Sequence, residues 1–172
     1  DSWIGYFSPR DNKWNEASNT TTFFFSEGWV NLMYEYAITN IFAPWIQLKN
    51  INMSGENPNK EIYAIAQISK IMGLHRSTDK FGPIPYKQVG NGSFTVEYDS
   101  QESVYRSFFE ELDEAVTVLY DFYMKANNTV PMASDVVYEG DVTKWIRLAN
   151  SLMLRLAIRV RYADEVLART YA

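Results

Sequence analysis

The hydrophobic and polar residues of the chain follow helical spacing most regularly between Tyr138 and Tyr162. Two apolar rows run along this segment, one formed by Trp145, Leu148, Ala149, Leu152, Leu156 and Val160 and the other by Ile146, Met153, Ala157 and Val160. A helix that is apolar around most of its circumference packs between other helices. Asp141 follows Gly140 and supplies a carboxylate that caps the first turn. We expect Asn150 to be buried in this helix, bonded to a neighbouring loop or, alternatively, to a ligand.

Three further segments, residues 26–51, 58–74 and 99–122, carry the same helical spacing. Pro44 ends or kinks the first of these helices near Ala43, after which the apolar spacing resumes. The four helices form two antiparallel pairs, and small residues on their faces let the backbones approach as in tetratricopeptide-type packing. Their starts show no fixed period, so a strict repeat is not predicted. The predicted fold class is all-α, with tetratricopeptide-like helical hairpins and long irregular loops.

Short local signals place the predicted helix ends. Asn57 followed by Pro58 is a cap with a first-turn proline. Asp99 and Glu102 form a D-x-x-E capping box for the third helix. Residues 94–98, with the sequence FTVEY, alternate between apolar and polar and predict a short strand without a clear partner.

Charged residues are expected on the outer faces of the helices. Four acidic residues are spread around the third helix: Glu110, Glu111, Asp113 and Glu114. Their spacing predicts a solvated face. Arg155 and Arg159 lie one turn apart on the fourth helix. We expect them to pair with acidic residues on a neighbouring helix, where Glu110, Glu111 and Asp113 are available, and not to form an anion site.

Composition limits the classes of function that remain. The chain has 172 residues, a net charge of −5 at pH 7 and no cysteine, so it contains neither disulfides nor zinc–thiolate sites. Its acidity argues against nucleic acid and against an anionic membrane surface, because both need a basic face. His75 is the only histidine, which excludes a Ser-His-Asp triad and a multi-histidine metal site. We therefore expect no enzyme activity, no cofactor and no metal.

Aromatic residues make up 16 % of the chain, and those in residues 1–25 have no helical spacing. Flat rings stack on the apolar faces of sugars, while neighbouring amides and charged groups bond the hydroxyls at the ring edge. The candidate ligand-binding residues are Trp3, Tyr6, Arg10, Trp14, Asn15 and Asn19. The sequence leaves open the alternative that these aromatic rings only cover helix ends. Trp29, Trp45 and Trp145 lie in helical patterns and are expected in the core.

Three ordered motifs resemble the SusD/RagB family, the surface glycan-binding lipoproteins of Bacteroidota. The segment YEGDVTKWIRLANSLMLRLAIRV, from Tyr138 to Val160, is similar to the signature helix of that family. FGPIPY at Phe81–Tyr86 and YDSQESVYRSFFEELDEAVTVL at Tyr98–Leu119 agree with the family in the expected order. The resemblance covers roughly residues 57–163, and three motifs in order are far more specific than one.

The resemblance implies a fold of helix pairs decorated with loops, in a non-catalytic protein at the outer-membrane cell surface. It implies binding of a glycan or other nutrient for a TonB-dependent transporter of the SusC type, with membrane attachment only through a lipid anchor not present in this chain. We expect residues 1–172 to be one helical domain, a fragment of a longer protein. It would comprise an irregular aromatic segment at 1–25, a four-helix core at 26–163 and the start of another helix at 164–172. The alternative function is a helical-hairpin scaffold for protein partners, without sugar binding.

Overall fold

The computed structural model of the protein describes residues 10, 11, 13–19, 22–125 and 128–172. Inside helices, the side chains of Trp14, Ala17, Trp29, Val30, Met33 and Ile38 lie outside that description. The chain divides into two compact units, residues 1–35 and residues 36–172. The apolar core belongs to the second unit, because all the buried apolar side chains described lie at residue 37 or beyond.

Six α-helices account for most of the described residues, and those residues contain no β-strand. The helices are α1 (Glu27–Ala37), α2 (Ala43–Ser54), α3 (Lys60–Phe81), α4 (Gln101–Met124), α5 (Val142–Val160) and α6 (Glu165–Thr170). Successive helices pack as hairpins, α3 against α2 and α4, and α5 against α4 and α6. The predicted all-α fold of tetratricopeptide-like hairpins with long irregular loops is confirmed.

The predicted interruption near Pro44 takes the form of a π-helical turn. Residues Ile38–Phe42 form this turn, and Pro44 lies in the first turn of α2. A π turn is one residue wider than an α turn, which accommodates the missing N–H of the proline. The chain therefore stays helical through Pro44.

The bounds of α3 differ from the predicted ones at both ends. Asn59, and not Asn57, is the N-cap, and its Oδ1 accepts a hydrogen bond from a first-turn backbone N–H at 2.9 Å. The helix runs past Leu74 to Phe81, because the apolar face continues and nothing breaks the backbone earlier. Gly82, with a φ of 75°, then ends the helix.

The loop between α3 and α4, here called the 82–100 loop, has its two ends held together. Ile84 N donates to the Asp99 carbonyl at 3.2 Å, and Asp99 N donates to the Ile84 carbonyl at 2.9 Å. The carboxylate of Asp99 also accepts hydrogen bonds from the backbone N–H groups of Tyr86 and Lys87. These bonds fix the base of the loop beside the helices.

Two predictions about this loop were wrong. Asp99 and Glu102 form no capping box, because the Asp99 carboxylate is already bonded inside the loop. Ser100 caps α4 instead, its hydroxyl accepting from Ser103 N at 3.2 Å. Residues 94–98 form no strand, since their backbone faces no neighbouring strand in the part of the chain that the structure describes.

Side chains from α3, α4 and α5 form most of the apolar core. Fully buried members are Ile68, Ile71, Leu74, Phe108, Phe109, Leu112, Leu119 and Leu156. Burial of each such side chain stabilises the fold by roughly 1.5–3 kcal/mol. Trp45 and Trp145 are 8 % and 3 % exposed, as predicted for core residues. The ring of Trp29 lies outside the described side chains.

A polar cluster lies inside this core and is here called the Lys70 cluster: Trp45, Gln67, Lys70, Tyr86 and Glu111. Lys70 Nζ lies 2.7 Å from Glu111 Oε2, and the lysine side chain is 1 % exposed. The same ammonium lies 4.1 Å from the ring centroid of Trp45 and 4.6 Å from that of Tyr86. Burial lowers the pKa of Lys70, while Glu111 favours the charged form. Glu111 faces inward, so the prediction that it is solvated was wrong.

A second polar group joins α3, α4 and α5. Arg159 Nη2 lies 2.8 Å from Asp79 Oδ2, and Tyr105 donates its hydroxyl to Asp79 Oδ1. Burial raises the pKa of Tyr105, and the hydrogen bond to Asp79 raises it further. Arg159 therefore pairs with an acidic residue of a neighbouring helix, as predicted, but that residue is Asp79 of α3 and not one of the acids named on the third predicted helix. Asn150, predicted to be buried, is exposed, since it lies on the same outer side of α5 as Arg147.

Candidate functional site

Tight turns before α1 contain the polar residues that the sequence indicates as ligand contacts. The 3-10 helix Trp14–Ala17 includes Asn15 and Glu16 with φ values of 55° and 54°. This left-handed region costs a residue with a side chain roughly 1–2 kcal/mol. Such strain concentrates at ligand clamps and binding sites. The strained pair marks the turn as a candidate ligand contact.

Two asparagines organise these turns. Asn15 Nδ2 donates to the Ser18 carbonyl at 2.7 Å, and Ser18 N donates to the Asn15 carbonyl at 2.8 Å. The carbonyl of Asn19 accepts from Thr22 Oγ1 at 2.9 Å and from Phe24 N at 3.1 Å. Asn15 is exposed, whereas Asn19 is fully buried. Asn15 is therefore placed to reach a ligand, and Asn19 is placed to hold the turn.

The structure describes only some of the other predicted site residues. Trp3 and Tyr6 lie outside the described residues, and so does the ring of Trp14. Arg10 is exposed at the start of the described segment. The polar residues Arg10 and Asn15 are therefore at the surface, while the role of the aromatic residues stays a prediction.

Three consecutive phenylalanines add an aromatic surface that the sequence analysis did not name. Phe23, Phe24 and Phe25 are 78 %, 45 % and 64 % exposed. Phe23 has a φ of 55°, in the left-handed region. The available signal was the run TTTFFF, which lacks helical spacing and stops directly before α1. These rings belong with the candidate site.

The polar side chains of the second unit serve the fold. No three metal-ligating side chains are grouped together among the described residues. His75 is 3 % exposed, with Nδ1 3.2 Å from the carbonyl oxygen of Ile71 one turn earlier. The buried ammonium of Lys70 is neutralised by Glu111, and Asp79 by Arg159. These pairs hold helices together, and they need no ligand.

An open cavity of about 420 Å³ lies where the ends of α3 and α5 meet the starts of α4 and α6. It is lined by Asp79, Gln101, Glu102, Tyr105, Arg159, Val160, Ala163, Asp164 and Leu167. Its guanidinium, on Arg159, is paired with Asp79, and the carboxylate of Asp164 is paired with Arg106 at 2.6 Å. Because its charges are already paired, this cavity is a weaker candidate than the aromatic segment before α1.

The fold and the distribution of polar groups define a class: a helical-hairpin protein with structural charge pairs inside and exposed aromatic and amide groups before its first long helix. The whole chain, residues 1–172, matches the family model described as SusD-like, Susd and RagB outer membrane lipoprotein. The chain belongs to the SusD/RagB family, as its three motifs predicted. No curated protein sequence matches it.

Several solved structures are similar to this chain. A chitin-binding SusD homolog from Flavobacterium johnsoniae is 33 % identical, with a TM-score of 0.85, over 99 % of this chain and 35 % of that one. A SusD homolog from Bacteroides vulgatus is 31 % identical, with a TM-score of 0.76, over 86 % of this chain and 29 % of that one. A SusD homolog from Bacteroides uniformis is 40 % identical, with a TM-score of 0.68, over 78 % of this chain and 27 % of that one.

This chain spans about a third of the length of the solved structures that it matches. The family consists of outer-membrane lipoproteins that bind substrates and do not catalyse reactions. These properties agree with those that the sequence motifs implied. Among the described residues, none of the helices combines the length and the apolar character that crossing a bilayer requires.

Proposed function

We propose that the protein binds an oligosaccharide nutrient at the outer-membrane surface, without catalysis, and delivers it to a TonB-dependent transporter of the SusC type. The observation that carries this proposal is the match of 99 % of the chain to a chitin-binding SusD homolog, at 33 % identity and a TM-score of 0.85. A further similar structure, 29 % identical, is also described as a chitin-binding protein.

The proposed contacts are the aromatic and polar residues before α1. In this proposal the rings of Trp3, Tyr6 and Trp14 stack on sugar faces. Arg10 and the exposed amide of Asn15 bond hydroxyl groups at the ring edge. The buried Asn19 contributes through its carbonyl, which holds the following turn by accepting from Thr22 and Phe24. No bond is broken, so binding and release are the whole of the chemistry.

Calorimetric titration of the natural full-length protein tests the proposal. The panel consists of the hexasaccharides of chitin, starch, xylan and β-glucan, with the chitin fragment as the first choice because of the two chitin-binding relatives. We expect at least one of them to bind. Absence of binding to the whole panel would contradict the proposed function.

The double variant Trp3→Ala with Trp14→Ala tests the location of the site. We expect its affinity to fall by roughly a hundredfold, because two stacking contacts worth about 1.4 kcal/mol each are lost. Tyr123→Ala, which removes an exposed aromatic side chain of α4, is the matched control and should bind like the unchanged protein. Equal affinity of the double variant and this control would place the sugar elsewhere.

The transporter partnership has its own test. We expect the tagged protein, extracted from outer membranes in mild detergent, to co-purify with a TonB-dependent transporter in a fixed ratio. Recovery of the protein from that membrane without any such transporter would remove this part of the proposal and leave sugar binding intact.

A further inference from the structure

The hairpin of α5 and α6 carries a row of apolar side chains that are exposed to water. Leu154 and Ile158 lie one turn apart on α5, and Tyr162 continues the four-residue spacing just after the helix ends. These three side chains are 45 %, 57 % and 86 % exposed. Residues spaced by four lie on the same side of a helix, so the row marks one apolar side of the hairpin.

An open groove of about 520 Å³ lies between α5 and α6 beside this row. Ile158 and Tyr162 line the groove together with three alanines, Ala157, Ala168 and Ala172. Two of these alanines, Ala157 and Ala168, are buried, so small side chains form the floor of the groove. The distance between packed helices depends on the side chains at their contact, and alanines let a helix approach closely.

The charged side chains that line the groove already have partners. Arg169 Nη2 lies 2.6 Å from Glu165 Oε1. Arg161 donates a hydrogen bond to the hydroxyl of Tyr162, and its guanidinium lies 4.3 Å from the centroid of that ring. An apolar partner in the groove therefore does not have to supply hydrogen bonds to these groups.

The short helix α6 does not cover the whole length of α5. The 19 residues of α5 span about 28 Å, whereas the 6 residues of α6 span about 9 Å. In stacks of helical hairpins each unit buries its faces on its neighbours, and a terminal unit needs a polar outer face. The apolar row and the groove beside it are therefore typical of an inner unit of such a stack.

We propose that the groove holds a helix of the same polypeptide from outside residues 1–172, which packs its apolar face against Ile158 and Tyr162. Length supports this occupant, because the similar solved structures are about three times as long as the part that this chain covers. Ala172 lines the groove, so a helix joined to the chain there would meet it at a high effective concentration. A second copy of the protein in dilute solution has no such advantage. The proposal does not depend on sugar binding.

Thiol labelling of the natural full-length protein tests whether the groove is covered. Residues 1–172 contain no cysteine, so mass spectrometry can follow a single thiol introduced by Ile158→Cys or, as the matched control, by Asp113→Cys. Both positions are exposed in the structure of residues 1–172. Relative to its rate in urea, we expect Ile158→Cys to react at least about a hundredfold more slowly than the control, because a covered thiol reacts only when the helix opens. Equal relative rates would overturn the proposal.

Photo-cross-linking then identifies what covers the groove. The photoreactive amino acid p-benzoylphenylalanine replaces Tyr162 in a mixture of isotopically heavy and light full-length protein, and mass spectrometry identifies the cross-linked peptides. We expect position 162 to be joined to a peptide from outside residues 1–172 that carries the same isotope label. Joining of heavy to light protein would assign the groove to a second copy, and a product within residues 1–172 would assign it to this part of the chain. Either result, or the absence of any product, overturns the proposal and leaves the proposed sugar binding unaffected.

Discussion

At the scale of single residues, one carboxylate fixes the start of α5. Asp135 is 7 % exposed, and its Oδ1 accepts from the backbone N–H groups of Val137 and Tyr138 at 2.9 and 3.1 Å. Its Oδ2 accepts from Gly140 N at 2.8 Å and from the indole of Trp145 at 2.7 Å. Burial alone would raise the pKa of Asp135, but these four hydrogen bonds lower it overall. The loop and the first turns of the signature helix therefore share one anchor.

Gly140 is required at this position by both conformation and space. Its φ is 78°, and an added Cβ would lie 2.1 Å from the Val130 carbonyl oxygen. We expect Gly140→Ala to lower the free energy of unfolding by about 3 kcal/mol. Gly92→Ala is the matched control, because Gly92 has a φ of 85° but open space around it, and it should cost only about 1 kcal/mol. Urea unfolding measures both, and equal losses would show that the contact with Val130 is relieved without cost.

The lowered pKa of Asp135 predicts a dependence of stability on pH. A depressed folded pKa means that the carboxylate stabilises the fold fully above its ordinary value near 3.8 and loses this effect as the pH falls through the folded pKa. We expect Asp135→Asn to be less stable than the parent by about 2 kcal/mol near pH 6, and the gap should shrink as the pH falls below the ordinary value of 3.8. Asp113→Asn, on the exposed side of α4, is the control. A gap that stays constant down to pH 2 would contradict this assignment.

At the scale of helices and loops, the Lys70 cluster explains what the FGPIPY motif does. Tyr86, the last residue of the motif, donates its hydroxyl to Glu111 Oε2 of α4, and its ring lies against the Lys70 ammonium of α3. The ring of Trp45 of α2 also lies against that ammonium, and its indole N–H donates to Gln67. Three helices and one loop therefore meet at a single buried charge.

Removing that charge should destabilise the helix packing. Lys70→Met leaves Glu111 without its cation, and we expect a loss of about 3 kcal/mol, at the low end for a broken buried pair because Glu111 is 24 % exposed. Lys60→Met, at the exposed start of α3, is the control and should change stability by less than about 0.5 kcal/mol. Replacing both members, as in Lys70→Met with Glu111→Leu, should recover part of the loss. Chemical unfolding measures all three, and equal stability of the two single variants would exclude a structural role for the pair.

At the scale of the whole molecule, the charged side chains inside the helical core form ion pairs with one another. The exposed aromatic side chains that the structure describes lie mainly on loops. The net charge of −5 gives the protein no long-range attraction for polyanions. The proposed ligand is a neutral oligosaccharide, held by stacking and hydrogen bonds. Binding should therefore be almost independent of ionic strength.

A salt series tests this expectation. Between about 50 and 500 mM NaCl, exposed charge interactions are strongly screened, so we expect the Kd for a neutral hexasaccharide to change less than about twofold. Sulfated oligosaccharides should bind no better than their neutral counterparts. A Kd that rises about tenfold across the series would instead identify a charged contact, with Arg10 as the first residue to replace.

The sequence by itself determined the helical architecture and the family. Apolar spacing along 101–124 and 142–160 depends only on the helical period, so the corresponding helices α4 and α5 were predicted close to their actual bounds. The Asp141 cap was also predicted, because Asp141 Oδ1 bonds the N–H of Thr143 within its own first turn. This cap follows from the sequence because all its atoms lie within one turn, whereas α3 and α4 begin at caps other than the predicted ones, Asn59 and Ser100.

Tertiary structure alone decided which polar residues turn inward. Glu111 looked like part of a solvated face, and only the arrival of Lys70 and Tyr86 from other segments makes its burial favourable. Asp99 was predicted to cap a helix, but in the structure the 82–100 loop folds back and supplies its carboxylate with closer N–H donors. For the candidate site, the sequence indicated the segment before α1, but it did not indicate that Asn19 is buried while Asn15 is exposed. The free energy of a buried charge or an exposed ring depends on its surroundings. A local sequence pattern does not predict those surroundings.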